Sequence, residues 1–409
     1  MISLDEALAA YGDLPALGTE TVDLQAALGR RLAAAVHSPV DLPLADQSAL
    51  DGYALRAADA AGASASRPIT LPLSGHVAAG DPPDQRIPTG SACRIFTGAW
   101  LPRSLDCMVA QEQVSATKTT VTLKSAPQPG QNIRRRGEEL SAGTEIVGAL
   151  SEVTAGLIGA LAMCGISHLS CYRQPRIALL VTGQELRPPG TVLGAGAAYD
   201  CNGPMLAALL QDWGLSLSAI YYPGDDLAET TRNLREAARS CDLTITTGGV
   251  SVGAHDHVKA AAEAVGYQTH YWRVAQKPGK PLYLGQSDTK LLLGLPGNPA
   301  AVFVCAHVHL REIIRKLQGA TTPRAWLTGR LLQELHPDRQ RLRLVRVTAK
   351  FGSHGKIQLD SPKNQASHML SNLALANGIA RIPPSEEAIP EGSAVQWLPT
   401  ANQFSLATN

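Results

Sequence analysis

The chain predicts a doubly wound α/β domain accompanied by small all-β domains and a helical segment, and three observations carry that reading. Residues 175–318 alternate strand-like and helix-like runs, the rhythm of a parallel sheet with crossover helices. Short β-rich runs broken by Gly/Pro turns fill the region from Asp46 to about Lys124, as in a small all-β domain. A second alternating stretch follows Ala325. With 409 residues, 44% apolar and 17% charged, the chain can bury several cores.

Taken in order, Ser3 and Glu6 make a Ser-x-x-Glu capping box, which predicts a helix from residue 4. The pattern over Asp23–Ala35 predicts a second amphipathic helix. Strands are expected over Ile69–Ser74, Ala92–Thr97 and Thr119–Lys124, and helical texture returns over Ser151–Gly165. The flanking helices would pack together and make the β domain an insertion. Arg176–Thr182 is a continuous β-branched and Leu run, as in a buried parallel strand. Strands are expected at Leu217–Tyr222, Leu243–Thr247, Thr269–Val274 and Leu291–Leu295. Helices are expected at Pro204–Trp213, Leu227–Ser240, His257–Val265 and Ala300–Leu317. Alternation in Arg341–Thr348 and Lys356–Leu359 predicts the second β domain.

Bulk properties exclude several classes. A net charge of +1 argues against a broad nucleic-acid surface, and 4% aromatics disfavours a base-stacking platform. Seven scattered cysteines, with no Cys-x-x-Cys pair, read as reduced thiols of a cytosolic protein. The N-terminus has no signal-peptide pattern. The most apolar run, Leu291–Leu310, is broken by Pro296, Asn298 and Pro299 and does not read as a membrane span.

Three loops between Thr246 and Pro299 hold the functional signal. Thr247-Gly248-Gly249-Val250-Ser251-Val252-Gly253 follows a buried strand and precedes a helix, where glycine amides can cradle an anion. A plain βα turn would look the same, but Ser251 and Asp256 in this loop favour a site. Lys277-Pro278-Gly279-Lys280-Pro281 sets two cations on a proline-stiffened turn, suited to phosphate. It is no Walker loop, because Pro281 stands where Ser or Thr would bind Mg²⁺. Gly294-Leu295-Pro296-Gly297-Asn298-Pro299 ends a strand and opens a helix, with Asn298 as N-cap and Pro299 as first helical residue, and it would also wall a ligand crevice. Glu185, Asp225, Asp226 and Asp256 gather at expected strand ends. Carboxylates beside phosphate-binding lysines commonly hold Mg²⁺, while Asp225 and Asp226 also read as helix caps. His255 and His257 are weak as a metal pair. Arg134-Arg135-Arg136 reads as a solvated face or, at a domain junction, as a reach toward an oxyanion. Gly194-Ala195-Gly196 fails as a dinucleotide fingerprint, because Tyr199 takes the third glycine position.

With these motifs in order, the chain resembles the MoeA-type molybdopterin molybdenumtransferases, the family that includes the gephyrin E domain. The resemblance runs through Asp46–Ala54, Arg94–Ala99, Gly130–Glu138, Thr182–Leu186, Tyr199–Asn202, Asp225-Asp226 and the three loops, almost the whole length. It implies an elongated subunit with a helical linker domain (1–45 and 140–172), an inserted β domain (46–139), a MogA-like α/β molybdopterin-binding domain (173–318) and a C-terminal β-barrel domain (319–409). It implies a cytoplasmic homodimer with a composite active site. Its partners would be a molybdopterin adenylyltransferase and molybdoenzyme apoproteins or their chaperones, with no nucleic acid and no membrane. The implied substrates are molybdate and adenylylated molybdopterin. With Mg²⁺, the pyrophosphate bond is cleaved and AMP leaves.

Residue by residue, the resemblance points to Asp51, Glu185, Asp225 and Asp256 as catalytic, with Asp225 and Asp256 as metal ligands. It points to Thr97, Arg134, Gly248, Gly249, Ser251, Lys277, Lys280, Pro296, Asn298, Pro299 and Ser367 as substrate-binding. Asp51 would reach across the dimer, and Glu185 would shape the pterin or nucleotide end. Gln47, Gln184, Glu139, Ala254, His255, Arg273 and Ala366, with the stretch Ser104–Cys107, depart from the family pattern. They motivate an alternative, a catalytically weak paralogue acting as a cofactor carrier or scaffold. An adenylyltransferase is a third reading, disfavoured by the full-length architecture.

Overall fold

A computed structural model describes residues 1–82, 84–251, 256–352, 355–362 and 364–400. The chain forms two compact units, one from residues 22–28 and 34–169, the other from residues 1–21, 29–33 and 170 onward.

In the first unit, a six-stranded sheet runs in the order Cys107–Ala110, Gly52–Leu55, Ala92–Ile95, Ile69–Val77, Thr120–Leu123, Val114–Ala116. Both faces are covered. Tyr53, Leu55, Cys107 and Val109 enter one apolar cluster, while the intervening Ala54 and Met108 enter another with Val77 and Ile95. The period-two alternation of strand side chains produces that division. The expected strands at 69–74, 92–97 and 119–124 are all present within a few residues. The helix expected within 151–165 is Ala155–Met163, capped by the Thr154 hydroxyl, which accepts the Leu157 amide.

The amphipathic helix expected over 23–35 does not form. Only a single 3₁₀ turn, Leu24–Ala27, appears there. Gly29 turns the chain at φ +72°, and no side chain caps the turn. An isolated short helix is marginal without packing to hold it, and within the Leu24–Ala27 turn just Leu24 and Ala27 are buried.

The second unit begins with the Leu4–Ala10 helix and its complete Ser3/Glu6 capping box. Its α/β sheet runs in the order Leu217–Tyr221, Ile177–Val181, Leu243–Thr247, Lys290–Leu295, Tyr283–Ser287, Gln268–Trp272. All run parallel except Tyr283–Ser287, which pairs antiparallel with both its neighbours. Ile177–Val181 and Leu243–Thr247 are buried at every residue, as strands covered on both faces must be. Tyr283–Ser287 is an unpredicted strand. A tight turn at Asp288 folds it against Lys290–Leu295, so its partner is supplied by the hairpin. The helix expected from Ala300 to Leu317 runs from Pro299 to Leu317 but contains a π-turn at Ala306–Leu310.

A closed five-stranded barrel completes this unit. Leu342–Phe351, Ile357–Asp360, Leu327–Leu331, Ala394–Pro399 and Gly378–Ile382 pair in turn, and the last returns to the first. Closure removes the exposed strand edge. Trp397, Val345, Val347 and Leu359 fill the interior. Among the described residues no helix is long and apolar enough to cross a membrane, and all seven cysteines are free thiols.

Candidate active site

The carboxyl ends of the parallel strands bring the glycine loops together. Gly248 and Gly249 both adopt left-handed backbone, at φ +85° and +69°. A Cβ at Gly248 would lie 2.7 Å from Thr182 Oγ1, and one at Gly249 would lie 2.7 Å from Val258 Cγ2. Only glycine fits this crossing. The Gly248 amide donates to the Leu295 carbonyl at 3.0 Å. Its role is therefore to shape the turn, and it does not offer a free donor to an anion as the nest reading expected. Gly297 packs against Gly248, and Asn202 Nδ2 donates to the Gly297 carbonyl at 2.8 Å. Thr182, Asn202 and the two glycine turns thus form one floor.

Asp225 is half-buried and its Oδ2 accepts the Gln184 amide at 3.3 Å, tying its loop to the loop of Glu185. Glu185 is exposed. The capping role falls to Asp226, whose Oδ1 accepts the Glu229 amide at 2.7 Å. Ser251 is exposed and Asp256 half-buried, just before the Val258–Val265 helix. Ala254 and His255 lie outside the described residues. Among the described residues no three His, Cys, Asp or Glu side chains gather as a metal cage. The acidic residues offered are hard oxygen donors. Mg²⁺ commonly takes one or two carboxylates plus substrate phosphates, and Asp225 and Asp256 are donors of that chemical type.

Beyond this floor opens a cleft of about 410 Å³ lined by Lys277, Lys280, Pro296, Asn298, Arg341, Arg343 and Ser367, among others. Pro299 opens the adjoining helix. Asn298 occupies the N-cap position as expected, but its side chain makes no cap. It donates instead to Ser367 Oγ at 3.1 Å, while the Ser367 carbonyl accepts the Ala300 amide. The Ala300 amide that a cap would satisfy is instead taken by the Ser367 carbonyl. Asp338 steadies the cationic rim. It pairs with Lys277 at 3.4 Å and Arg341 at 2.9 Å, and the Arg341 and backbone hydrogen bonds hold its carboxyl far below the usual range. Arg341 and Arg343 were missed as site residues. Their alternation with Leu342 and Leu344 was visible and put both on one strand face, but nothing local said which ligand that face would meet.

Asp51, Thr97 and Arg134 belong to the first unit. Asp51 Oδ1 accepts from the Thr97 amide at 2.8 Å and from its hydroxyl at 2.7 Å. The Thr97 backbone bond, then the side-chain bond, lower the Asp51 pKa. Arg134 pairs in register with Gln47 on a short antiparallel ladder. Arg135 and Arg136 form ion pairs with Asp46 and Asp41 at 2.5 and 2.7 Å, so most of the arginine run serves structure.

A cationic cleft at the carboxyl edge of an α/β sheet, floored by glycine turns, lies where such sheets place their ligands. Comparison with known proteins narrows the class. Family models match as MoeA N-terminal region (domain I and II) over residues 2–165, probable molybdopterin binding domain over 178–316, and MoeA C-terminal region (domain IV) over 328–400. A molybdopterin molybdenumtransferase of Haemophilus influenzae is 35% identical over 88% of each chain. One of a Nostoc species is 34% identical over 92% of this chain and 88% of its own. A crystal structure of the molybdopterin biosynthesis MoeA protein from Pyrococcus horikoshii superposes with a TM-score of 0.83 at 25% identity, covering 98% of this chain and all of that one. The chain belongs to the MoeA family of molybdopterin molybdenumtransferases, enzymes of molybdenum cofactor biosynthesis.

Proposed function

We propose that the protein inserts molybdenum into adenylylated molybdopterin, with Mg²⁺-dependent cleavage of the pyrophosphate bond and release of AMP. The observation that carries this reading is the meeting of Lys277, Lys280, Arg341 and Arg343 with Asn298 and Ser367 in one cleft. Four cations, with Asp338 the one carboxylate recorded against them among the described residues, make it electropositive, which suits a pyrophosphate and a molybdate oxyanion. Lys277 and Lys280 bind phosphate oxygens as point charges. Arg341 and Arg343 orient oxyanions through their forked donors. Ser367 Oγ accepts from Asn298, so its hydroxyl hydrogen is free to turn toward the ligand. Asp225 and Asp256 would hold Mg²⁺, which when bound offsets charge on the pyrophosphate oxygens. Asp256 also orients the attacking oxygen, and Glu185 shapes the pterin or nucleotide end.

The first unit supplies Asp51, Thr97 and Arg134, and in this reading a homodimer completes the site with those residues. The Ala155–Met163 helix supports pairing. It is apolar throughout, buries only Leu161, and leaves Met163 57% exposed. Such a face is the kind that a partner covers. Retention of Asp51, Glu185, Asp225, Asp256 and both lysines favours turnover over the carrier or scaffold alternative.

The test mixes purified protein with adenylylated molybdopterin, molybdate and Mg²⁺ and follows AMP. Release that needs both ions is the expected result, and binding without release sinks the enzymatic reading in favour of the carrier. Asp256→Asn should abolish release while sedimentation still shows the dimer. Removing Lys277 and Lys280 together should weaken substrate binding and flatten its salt dependence.

A further inference from the structure

Beneath the lysine turn lies a buried chain of polar side chains that the function above does not use. Gln276 is fully buried and its Nε2 donates to the Gly279 carbonyl, between the two lysines, at 3.2 Å. Its Oε1 lies 2.9 Å from His309 Nε2. His309 Nδ1 lies 2.7 Å from Tyr11 Oη, which lies 2.5 Å from Tyr271 Oη. His309 is fully buried, Tyr11 1% exposed and Tyr271 5%.

The chemistry allows one direction. A carbonyl only accepts, so Gln276 must turn its amide nitrogen to Gly279. Its oxygen then needs a donor, which places the ring hydrogen of His309 on Nε2. Nδ1 is left bare and accepts from Tyr11, whose oxygen accepts from Tyr271. The acceptance from Tyr11 at Nδ1 depends on His309 being neutral, and burial pushes its pKa down to about 3. The π-turn at Ala306–Leu310 carries this histidine, in keeping with the frequent occurrence of such turns at functional sites. The space around the turn is closed as well. A Cβ at Gly279 would lie 2.4 Å from Cys305 Sγ and 2.6 Å from Gln276 Nε2.

We propose that Gln276 and His309 are positioning residues: the one-way hydrogen-bond chain from Tyr271 to the Gly279 carbonyl holds the Lys277–Pro281 turn in the geometry that presents both lysines to substrate. The substrate part rests on the functional reading above. The ordering of the turn does not.

The decisive variant is Gln276→Met, which keeps the shape of the side chain and removes its hydrogen bonds to Gly279, His309 and Cys305. Tyr11→Phe, which breaks the chain two links away with little change in volume, is the second should the first fold poorly. Two quantities are read at equal thermal stability: hydrogen exchange of the 277–281 segment in the free protein, and KM against kcat for adenylylated molybdopterin. Gln276→Met should raise exchange of that segment about tenfold, the size expected from leaving a buried carbonyl unpartnered. KM should rise by a similar factor with kcat within about twofold, and Tyr11→Phe should move both in the same sense by less. Combining Gln276→Met with Lys280→Ala should be less than additive, because the chain acts through the lysine. Unchanged exchange in Gln276→Met overturns the proposal, since packing alone would then hold the turn. Raised exchange with unchanged KM overturns the positioning role. Should the wild type release no AMP, the functional reading fails by itself, and the exchange measurement still decides whether the chain orders the turn.

Discussion

The lysine turn and the Asp51–Thr97 corner both present charge for chemistry, yet they are built in opposite ways. Lys277 and Lys280 project from a turn anchored below by buried polar groups, with partners as distant in sequence as Tyr11 and His309. Asp51 is held near the surface by two hydrogen bonds from one residue, Thr97. Buried hydrogen bonds are costly to break because water cannot replace them, whereas exposed ones are exchanged for water at small cost. Damage should therefore propagate in the first region and stay local in the second.

The largest effects come from glycines next to each charged group. Gly52 follows Asp51, and a Cβ there would lie 2.1 Å from the Val109 carbonyl oxygen across the sheet. Gly52→Ala should destabilise by about 3 kcal/mol or more, because backbone must move. Denaturant melts check this, and a loss below about 1 kcal/mol would show the sheet to be more compliant than its packing. Gly279→Ala meets the flexible ends of Cys305 and Gln276 at φ +94° and should cost about 2 kcal/mol. Its greater effect should fall on KM. Equal effects of the two substitutions on substrate binding would erase the contrast between the regions.

A third change sharpens the contrast within the buried region. His307 lies two residues from His309 and is equally buried, but neither of its nitrogens finds a hydrogen-bond partner among the described residues. It sits between Trp213 and Phe303. Burial, then Arg324 and Arg311, push its pKa down to about 3. The folded state keeps it neutral, while the unfolded chain takes up a proton below about pH 6.5. Its contribution is therefore whole above that value and lost as pH falls toward 3, by up to about 1.4 kcal/mol per pH unit. His307→Phe should raise stability at pH 7 by about 1 kcal/mol and reduce the acid loss between pH 6 and 4. Conversely, His309→Phe should lower stability at pH 7, since it strands Tyr11 and Gln276. Urea melts at the two pH values separate these outcomes.

The smallest effect is expected at Thr97→Val. Removing its hydroxyl leaves the backbone bond to Asp51 and should move the Asp51 pKa upward, with no measurable change in stability. NMR titration of the carboxyl carbon would show it.

Part of the candidate site was legible in the sequence. Lys277, Lys280, Pro296, Asn298 and Ser367 do share a cleft, because proline and glycine mark strand-end turns through their own backbone preferences. Asp226 took the capping role anticipated for the Asp225-Asp226 pair. The segment 23–35 was misread because amphipathic spacing says nothing about whether a surface exists to receive the face. Arg341 and Arg343 were overlooked because an arginine at the start of a strand has the same local pattern whether or not a cleft lies before it.

The amino-acid sequence alone determined the alternation of buried strands and helices, the capped first helix and the left-handed glycine turns, since each follows from preferences acting over a few residues. The tertiary structure alone decided that Asn298 bonds Ser367 instead of capping its helix, that a π-turn interrupts the helix after Pro299, and that Tyr11 supports a turn through His309, 298 residues away. Those choices compare alternative partners in space. Which partner wins depends on distance, burial and the absence of water, quantities that exist only once the chain has closed on itself.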